Sequence, residues 1–173
     1  MRPDYLARGL PGHPLHPPFT DITVGAYVVS AIAAIGDVGG VVDRNAAVAW
    51  WIALVIGLVA TVLTALTGLA DWLQISRGTP LWRTATLHAL VNVTAGILFL
   101  VAAIVGHGGY TRGDVTAGPF ALTIAGLAVL LVGGWLGGTI VFVHGMRVLN
   151  LIDEPTRRAA APYPHPEKED AAR

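Results

Sequence analysis

The sequence predicts an all-α fold: a bundle of four transmembrane helices in up-down order, with both termini cytoplasmic. Three observations predict it. The chain has 173 residues, of which 54% are hydrophobic and 13% charged, whereas soluble domains carry about 25% charged residues. Its apolar residues fall into four runs, each as long as the roughly 20 residues that span a bilayer. The links between the runs are short, which favours antiparallel packing of consecutive helices.

The four apolar runs give the predicted helices in chain order. They cover about Asp21–Val42, Ala46–Trp72, Ala85–Gly106 and Pro119–Val143. Gly78-Thr79-Pro80 in the second link and Gly108-Gly109 in the third are typical turn residues. Pro119 is typical of the first turn of a helix, where its missing N–H leaves no hydrogen bond unmade. The second and third links are therefore predicted as loops over Gln74–Thr84 and His107–Gly118.

The distribution of basic residues predicts the orientation. One side of the predicted bundle carries Arg2, Arg8, Arg77, Arg83, Arg147, Arg157, Arg158, Lys168 and Arg173, and the other carries Arg44 and Arg112. Since cytoplasmic loops are rich in arginine and lysine, both termini are predicted to be cytoplasmic. The chain then divides into a cytoplasmic segment rich in proline and histidine (residues 1–19), the four-helix domain (residues 20–152) and a polar tail (residues 153–173) that we expect to be disordered.

Polar residues gather at one depth of this bundle, where the predicted helices meet the cytoplasm. They are His13, His16, His88, His144, Asp21 and Asp71. With a rise of about 1.5 Å per residue, they fall within about 10 Å of one another in depth. Because ionisable groups in a membrane are costly, such a set is a candidate functional site, and imidazole and carboxylate groups are metal ligands. Asp37 lies toward the opposite face, where we expect a wet outer vestibule.

Small and polar residues also recur at helical spacing. The second helix carries Gly57, Thr61, Thr64, Gly68 and Asp71 on one face, and the fourth carries Gly126, Gly133, Gly134, Gly137 and Gly138. Asn92 follows His88 by one helical turn. Small residues let transmembrane helices pack closely. They also leave room for a flat cofactor against the backbone, so the pattern leaves both interpretations open.

The sequence resembles the bacterial membrane proteins grouped as the DUF2231 family. The resemblance covers about residues 9–150 and rests on Gly12-His13-Pro14-Leu15-His16-Pro17, Thr20-Asp21, Gly25-Ala26, Thr67-Gly68-Leu69-Ala70-Asp71-Trp72, His88-Ala89-Leu90-Val91-Asn92, Gly137-Gly138 and Val143-His144-Gly145. It implies a four-helix, multi-pass protein of the bacterial inner membrane. Similar domains occur joined to Rieske-type iron–sulfur or cytochrome modules. The chain has no cysteine, so the resemblance implies a redox partner on a separate chain.

Three functional hypotheses follow. The first is a b-type haem electron-transfer subunit, with His88 and His144 as axial ligands on spanning helices. Asn92 would line the haem site, and Arg83 and Arg147 would neutralise its propionates. In this hypothesis His13 and His16 also bind propionates, or one of them replaces His144 as ligand.

The second hypothesis is a non-haem site for zinc, iron or copper, held by the four histidines with Asp21 and Asp71. The third is a passive membrane anchor or assembly subunit without a cofactor. Enzyme chemistry is disfavoured because the chain contains no nucleophile elbow, phosphate loop or zincin spacing. Zero net charge without a clustered basic surface gives no support for nucleic-acid binding.

Overall fold

The computed structural model describes residues 9–10, 13–42 and 45–148 of the chain, and it contains four long helices. These are α1 (His16–Val38), α2 (Asn45–Trp72), α3 (Pro80–Arg112) and α4 (Ala117–Phe142). All four are long and apolar enough to cross a membrane. The predicted all-α, four-helix transmembrane fold is therefore confirmed. The predicted disordered tail, residues 153–173, lies outside the described residues.

A short β-bridge precedes the helices. Gly9–Leu10 (β1) pairs antiparallel with His13–Pro14 (β2), so that Gly9 lies opposite Pro14. Gly9 has a φ of 81°, a backbone conformation that glycine adopts without strain. Directly after this turn the chain enters α1.

The predicted helix boundaries are wrong at several ends, and the caps explain why. α1 begins at His16 because Pro17 and Pro18 occupy its first positions, where proline is tolerated. α3 begins at Pro80, after Thr79 caps it by accepting a hydrogen bond from the Trp82 N–H at 3.2 Å. The predicted loop to Thr84 is correspondingly shorter.

The Gly108-Gly109 pair lies inside α3 rather than in a loop. α3 ends only at Gly113, which adopts a φ of 86° as its left-handed C-cap. The Gly109 carbonyl accepts hydrogen bonds from Gly113 N–H at 2.8 Å and Asp114 N–H at 3.0 Å. A side chain at Gly109 would collide with the Asp114 carbonyl, so this glycine allows the tight return into α4.

The helices form two hairpins, α1/α2 and α3/α4, which pack against each other. Contacts are most extensive within each hairpin, and between the hairpins α2 lies beside α3 and α1 beside α4. Consequently α1 and α3 are diagonal across the bundle. Both begin at the same end, which we call the histidine end, and α2 and α4 finish there. The outer faces carry exposed apolar side chains such as Ile32, Ile104 and Trp135, as lipid contact requires.

Hydrogen bonds between the hairpins hold the end opposite the histidines. Trp50 is fully buried and donates from Nε1 to Thr123 Oγ1 at 3.1 Å. Trp51 donates from Nε1 to the Ala103 carbonyl at 3.0 Å. Asp37 is half-buried, and its Oδ2 accepts a hydrogen bond of 2.7 Å from the main-chain N–H of Val115. The unusual depth of Asp37 therefore has a structural explanation, since it ties α1 to the link before α4.

Candidate functional site

His16 and His88 meet across the centre of the bundle at the histidine end. Their ring centroids lie 6.5 Å apart, and the ring planes are inclined at 81°. His16 is the first residue of α1, His88 lies a little more than two turns into α3, and the two helices are diagonal. The pair therefore brings together one imidazole from each hairpin.

Hydrogen bonds to main-chain carbonyls fix the tautomer of both rings. Nδ1 of His16 lies 3.0 Å from the Thr64 carbonyl oxygen, and Nδ1 of His88 lies 2.9 Å from the Gly133 carbonyl oxygen. A carbonyl only accepts, so each Nδ1 carries the proton that it donates. In the neutral rings the lone pair is then on Nε2, the nitrogen with which such histidines bind metals.

Further side chains support each ring. Thr67 Oγ1 lies 3.3 Å from Nδ1 of His16. The Asn92 amide nitrogen donates to the His88 carbonyl at 2.8 Å and lies 3.2 Å from Nδ1 of His88. Since Nδ1 already donates to a carbonyl, the bond of Asn92 to the backbone is the one that orients this amide. Asn92 thus packs beside His88, as its spacing predicts.

Glycines on the neighbouring helices leave the space that the two rings occupy. A Cβ at Gly68 would lie 2.8 Å from Cε1 of His16, and a Cβ at Gly137 would lie 3.1 Å from Cε1 of His88. Gly133 in the same way faces the Asn92 amide. At these positions the room that glycine leaves is taken up by the chain's own side chains, which is the packing interpretation of the glycine pattern.

A second aromatic pair lies deeper in the bundle, below the histidines. Tyr27 and Phe99 stack with ring centroids 3.8 Å apart and planes inclined at 10°. The Tyr27 hydroxyl hydrogen-bonds Thr61 Oγ1 at 2.8 Å. The centre of the bundle therefore carries two layers of facing rings, one of imidazoles and one of phenyl groups.

An ion pair lies beside the histidines. Arg147 Nη2 lies 2.8 Å from Asp71 Oδ1, and the Asp71 side chain is only 9% exposed. Arg147 has a φ of 63°, a left-handed conformation that costs a non-glycine residue about 1–2 kcal/mol. The turn that follows α4 thus holds a strained residue in place to neutralise a buried carboxylate.

The family of this protein follows from its similarity to known proteins. The model of the DUF2231 predicted membrane proteins matches residues 12–150, most of the chain. The chain belongs to the DUF2231 family. It is an integral membrane protein. No curated protein and no solved structure matches it.

His144 of this DUF2231 protein contacts α3 on the N-terminal side of His88. Its Nε2 lies 3.2 Å from Oγ1 of Thr84, which stands one turn before His88. His13, Asp21 and Arg83 are exposed. Within residues 9–10, 13–42 and 45–148, no group of three or more histidine, aspartate or glutamate side chains is placed to hold one metal ion.

Sequence reasoning preferred His144 as the partner of His88 and kept His16 as an alternative, because depth alone does not say which way a side chain points. A signal for the pair of His16 and His88 was present. Tyr27 follows His16 by eleven residues, and Phe99 follows His88 by the same number. Eleven residues are close to three turns of helix, so each histidine shares a face with an aromatic residue, and both faces point to the bundle centre.

Proposed function

We propose that this protein is a b-type haem electron-transfer protein of the membrane, in which His16 and His88 are the axial ligands of the haem iron. One observation carries the proposal: two imidazoles from diagonal helices, each with Nδ1 bonded to a carbonyl, lie with their centroids 6.5 Å apart. Haem supplies reversible one-electron transfer at its iron when bound. The chain supplies the two nitrogens and their orientation.

The separation of the rings fits opposite sides of one metal. An imidazole nitrogen lies about 2.0–2.1 Å from a bound metal, so two rings on opposite sides of it have centroids roughly 6 to 6.5 Å apart. Rings at neighbouring corners of a tetrahedron are closer, at about 5 Å. The observed distance therefore favours an axial pair over a tetrahedral zinc-type site. Haem iron needs only two protein ligands, and these two rings supply them. The number of ligands therefore favours haem over a non-haem ion.

The two rings come from different hairpins. His16 belongs to the α1/α2 hairpin and His88 to the α3/α4 hairpin, so they face each other across the interface between the hairpins. A macrocycle held by both rings would lie at that interface. Arg83 is exposed at the same end and suits a haem propionate, whereas Arg147 is engaged by Asp71.

The orientation prediction places this end of the bundle at the cytoplasmic side of a bacterial inner membrane. Electrons would then pass between a quinone in the bilayer and a Rieske-type or cytochrome partner on a separate chain. Exposed basic groups at this end, Arg77 and Arg83, suit an acidic docking surface on that partner.

An absorption spectrum of the full chain, purified in mild detergent from haem-replete cells, tests the proposal. We expect a Soret band, with sharp alpha and beta bands after reduction by dithionite and one haem per chain. His16→Ala and His88→Ala should each abolish the six-coordinate low-spin spectrum. His144→Ala is the matched control, since it removes a histidine from the same end and should leave the spectrum unchanged.

The other outcomes are equally informative. A colourless protein with one zinc, iron or copper per chain by elemental analysis would replace haem by a non-haem metal. A folded protein with neither pigment nor metal would make the histidine pair a packing element and the protein an anchor. Loss of the spectrum in His144→Ala, with His16→Ala unaffected, would restore the ligand pair that the sequence first suggested.

A further inference from the structure

The two hairpins repeat the same pattern of chemistry. Each helix carries one pair of residues, eleven positions apart, that contacts the other helix of its hairpin. The pairs are His16–Tyr27 in α1, Gly57–Gly68 in α2, His88–Phe99 in α3 and Gly126–Gly137 in α4. In each hairpin the first helix carries a histidine and an aromatic residue. The second helix carries two glycines at the same separation.

The contacts repeat as well as the spacing. His16 packs on Gly68 as His88 packs on Gly137. In the layer below the histidines, Tyr27 packs on Gly57 as Phe99 packs on Gly126. The carbonyls that accept from the two Nδ1 atoms, those of Thr64 and Gly133, each stand four residues before the glycine under the ring.

Burial in the two first helices follows one template. The buried residues are Thr23, Tyr27, Ser30, Ala31 and Ala34 in α1, and Ala95, Phe99, Ala102, Ala103 and Gly106 occupy the same distances from the histidine in α3. All five α1 positions have a buried counterpart. These distances are those of one helix face, so α1 and α3 present the same face, measured from the histidine, to the centre of the bundle.

We infer that the chain is an internal duplication of one helical hairpin, and that His16 and His88 form a composite site on a pseudo-two-fold axis along the bundle. Both rings carry their lone pair on the same nitrogen, Nε2, because both Nδ1 atoms donate to carbonyls. Repeats related by an axis along the membrane normal are a known way of building membrane proteins around a central site. If the proposed function holds, on which this point rests, His16 and His88 would be equivalent ligands of one haem iron. Such a site fits a ligand that has two equivalent coordination positions on opposite sides.

One departure from the symmetry makes the inference testable. Tyr27 has a hydroxyl that bonds Thr61 at 2.8 Å, whereas the corresponding pair in the second hairpin is Phe99 and Leu130. Thr61 follows Gly57 by four residues, and Leu130 follows Gly126 by four. Leu130 is buried in the core. The axis therefore predicts that a hydroxyl placed on Phe99 points at position 130.

The experiment transfers the hydroxyl pair to the second hairpin of the full chain. Phe99→Tyr alone buries a hydroxyl without a partner, so it should lower the apparent unfolding temperature in detergent by several degrees. Leu130→Thr alone lowers the temperature because it removes buried apolar volume, but it should lower it much less when Phe99→Tyr is present, because the two hydroxyls then pair. Phe99→Tyr with Leu127→Thr is the control, one turn away, and its two losses should be additive.

A converse set of variants guards against a misfolded Phe99→Tyr protein. Thr61→Leu should destabilise the chain, and Tyr27→Phe should restore it, because the first hairpin then copies the second. Absence of coupling at position 130, or equal coupling at position 127, overturns the inference, as does failure of Tyr27→Phe to rescue Thr61→Leu. These readings use unfolding temperatures only. A colourless protein that passes them refutes the haem and leaves the duplication standing.

Discussion

Replacing Gly68 by alanine tests whether the His16 ring needs the room that this glycine leaves. The new Cβ would lie 2.8 Å from Cε1 and 3.1 Å from Nδ1 of the ring, so the ring must move. Overpacking costs about 1–3 kcal/mol, and the bond to Thr64 adds roughly 1 kcal/mol if it is lost. Alanine is more favourable than glycine inside a helix by about 0.5–1 kcal/mol, and this offsets part of the cost. We therefore expect the free energy of unfolding to fall by about 1–3 kcal/mol.

Gly134→Ala is the control for this variant, because a Cβ at Gly134 meets nothing within 4 Å. It should be neutral or slightly stabilising. The measurement is the unfolding midpoint in detergent by tryptophan fluorescence, with the absorption spectrum as a second reading, since a displaced His16 would weaken axial ligation if haem is bound. Gly68→Ala as stable as Gly134→Ala, with an unchanged spectrum, would refute the argument that Gly68 positions the ring.

Three further predictions concern charges and ring geometry. Arg147→Gln removes the cation that lies 2.8 Å from the buried Asp71 carboxylate and should lower stability by about 2–3 kcal/mol, below the fully buried range because the Arg147 side chain is 26% exposed. Adding Asp71→Asn should recover part of the loss, and an additive double variant would contradict the pairing. Asp37→Ala should cost about 1–2 kcal/mol by removing a charge-assisted hydrogen bond of 2.7 Å, whereas Asp37→Asn keeps an acceptor and should cost less; equal midpoints for the two variants would argue against this bond. If haem is bound, the planes of His16 and His88, inclined at 81°, should give the ferric low-spin EPR signal of large g anisotropy that perpendicular imidazoles produce, and the rhombic signal of parallel planes would contradict the geometry.

Hydropathy predicted the helices, and the caps set their ends. The core of each span was predictable because a bilayer requires about 20 apolar residues, a property of composition alone. Helix ends depend on local chemistry instead. Pro17 and Pro80 extend helices that hydropathy begins later, and Gly113 ends α3 beyond the glycine pair that resembles a turn.

The candidate site was predictable in depth but not in direction. His16, His88 and His144 all lie near one end of the bundle, as their positions along the chain require. Which rings meet depends on the rotation of each helix about its axis. An error of one residue in a helix boundary changes that rotation by about 100°. His144 lies after the last turn of α4, where the backbone has left the helix, so its contact with Thr84 followed from no periodic pattern.

The bonds that join the two hairpins have a mechanical consequence for the imidazoles. At the far end Trp50, Trp51 and Asp37 join the hairpins. At the histidine end Trp72 donates from Nε1 to Thr86 Oγ1 at 2.9 Å, and Arg147 pairs with Asp71. Because both ends are tied, the rings of His16 and His88 move apart only when the bonds at the histidine end break first.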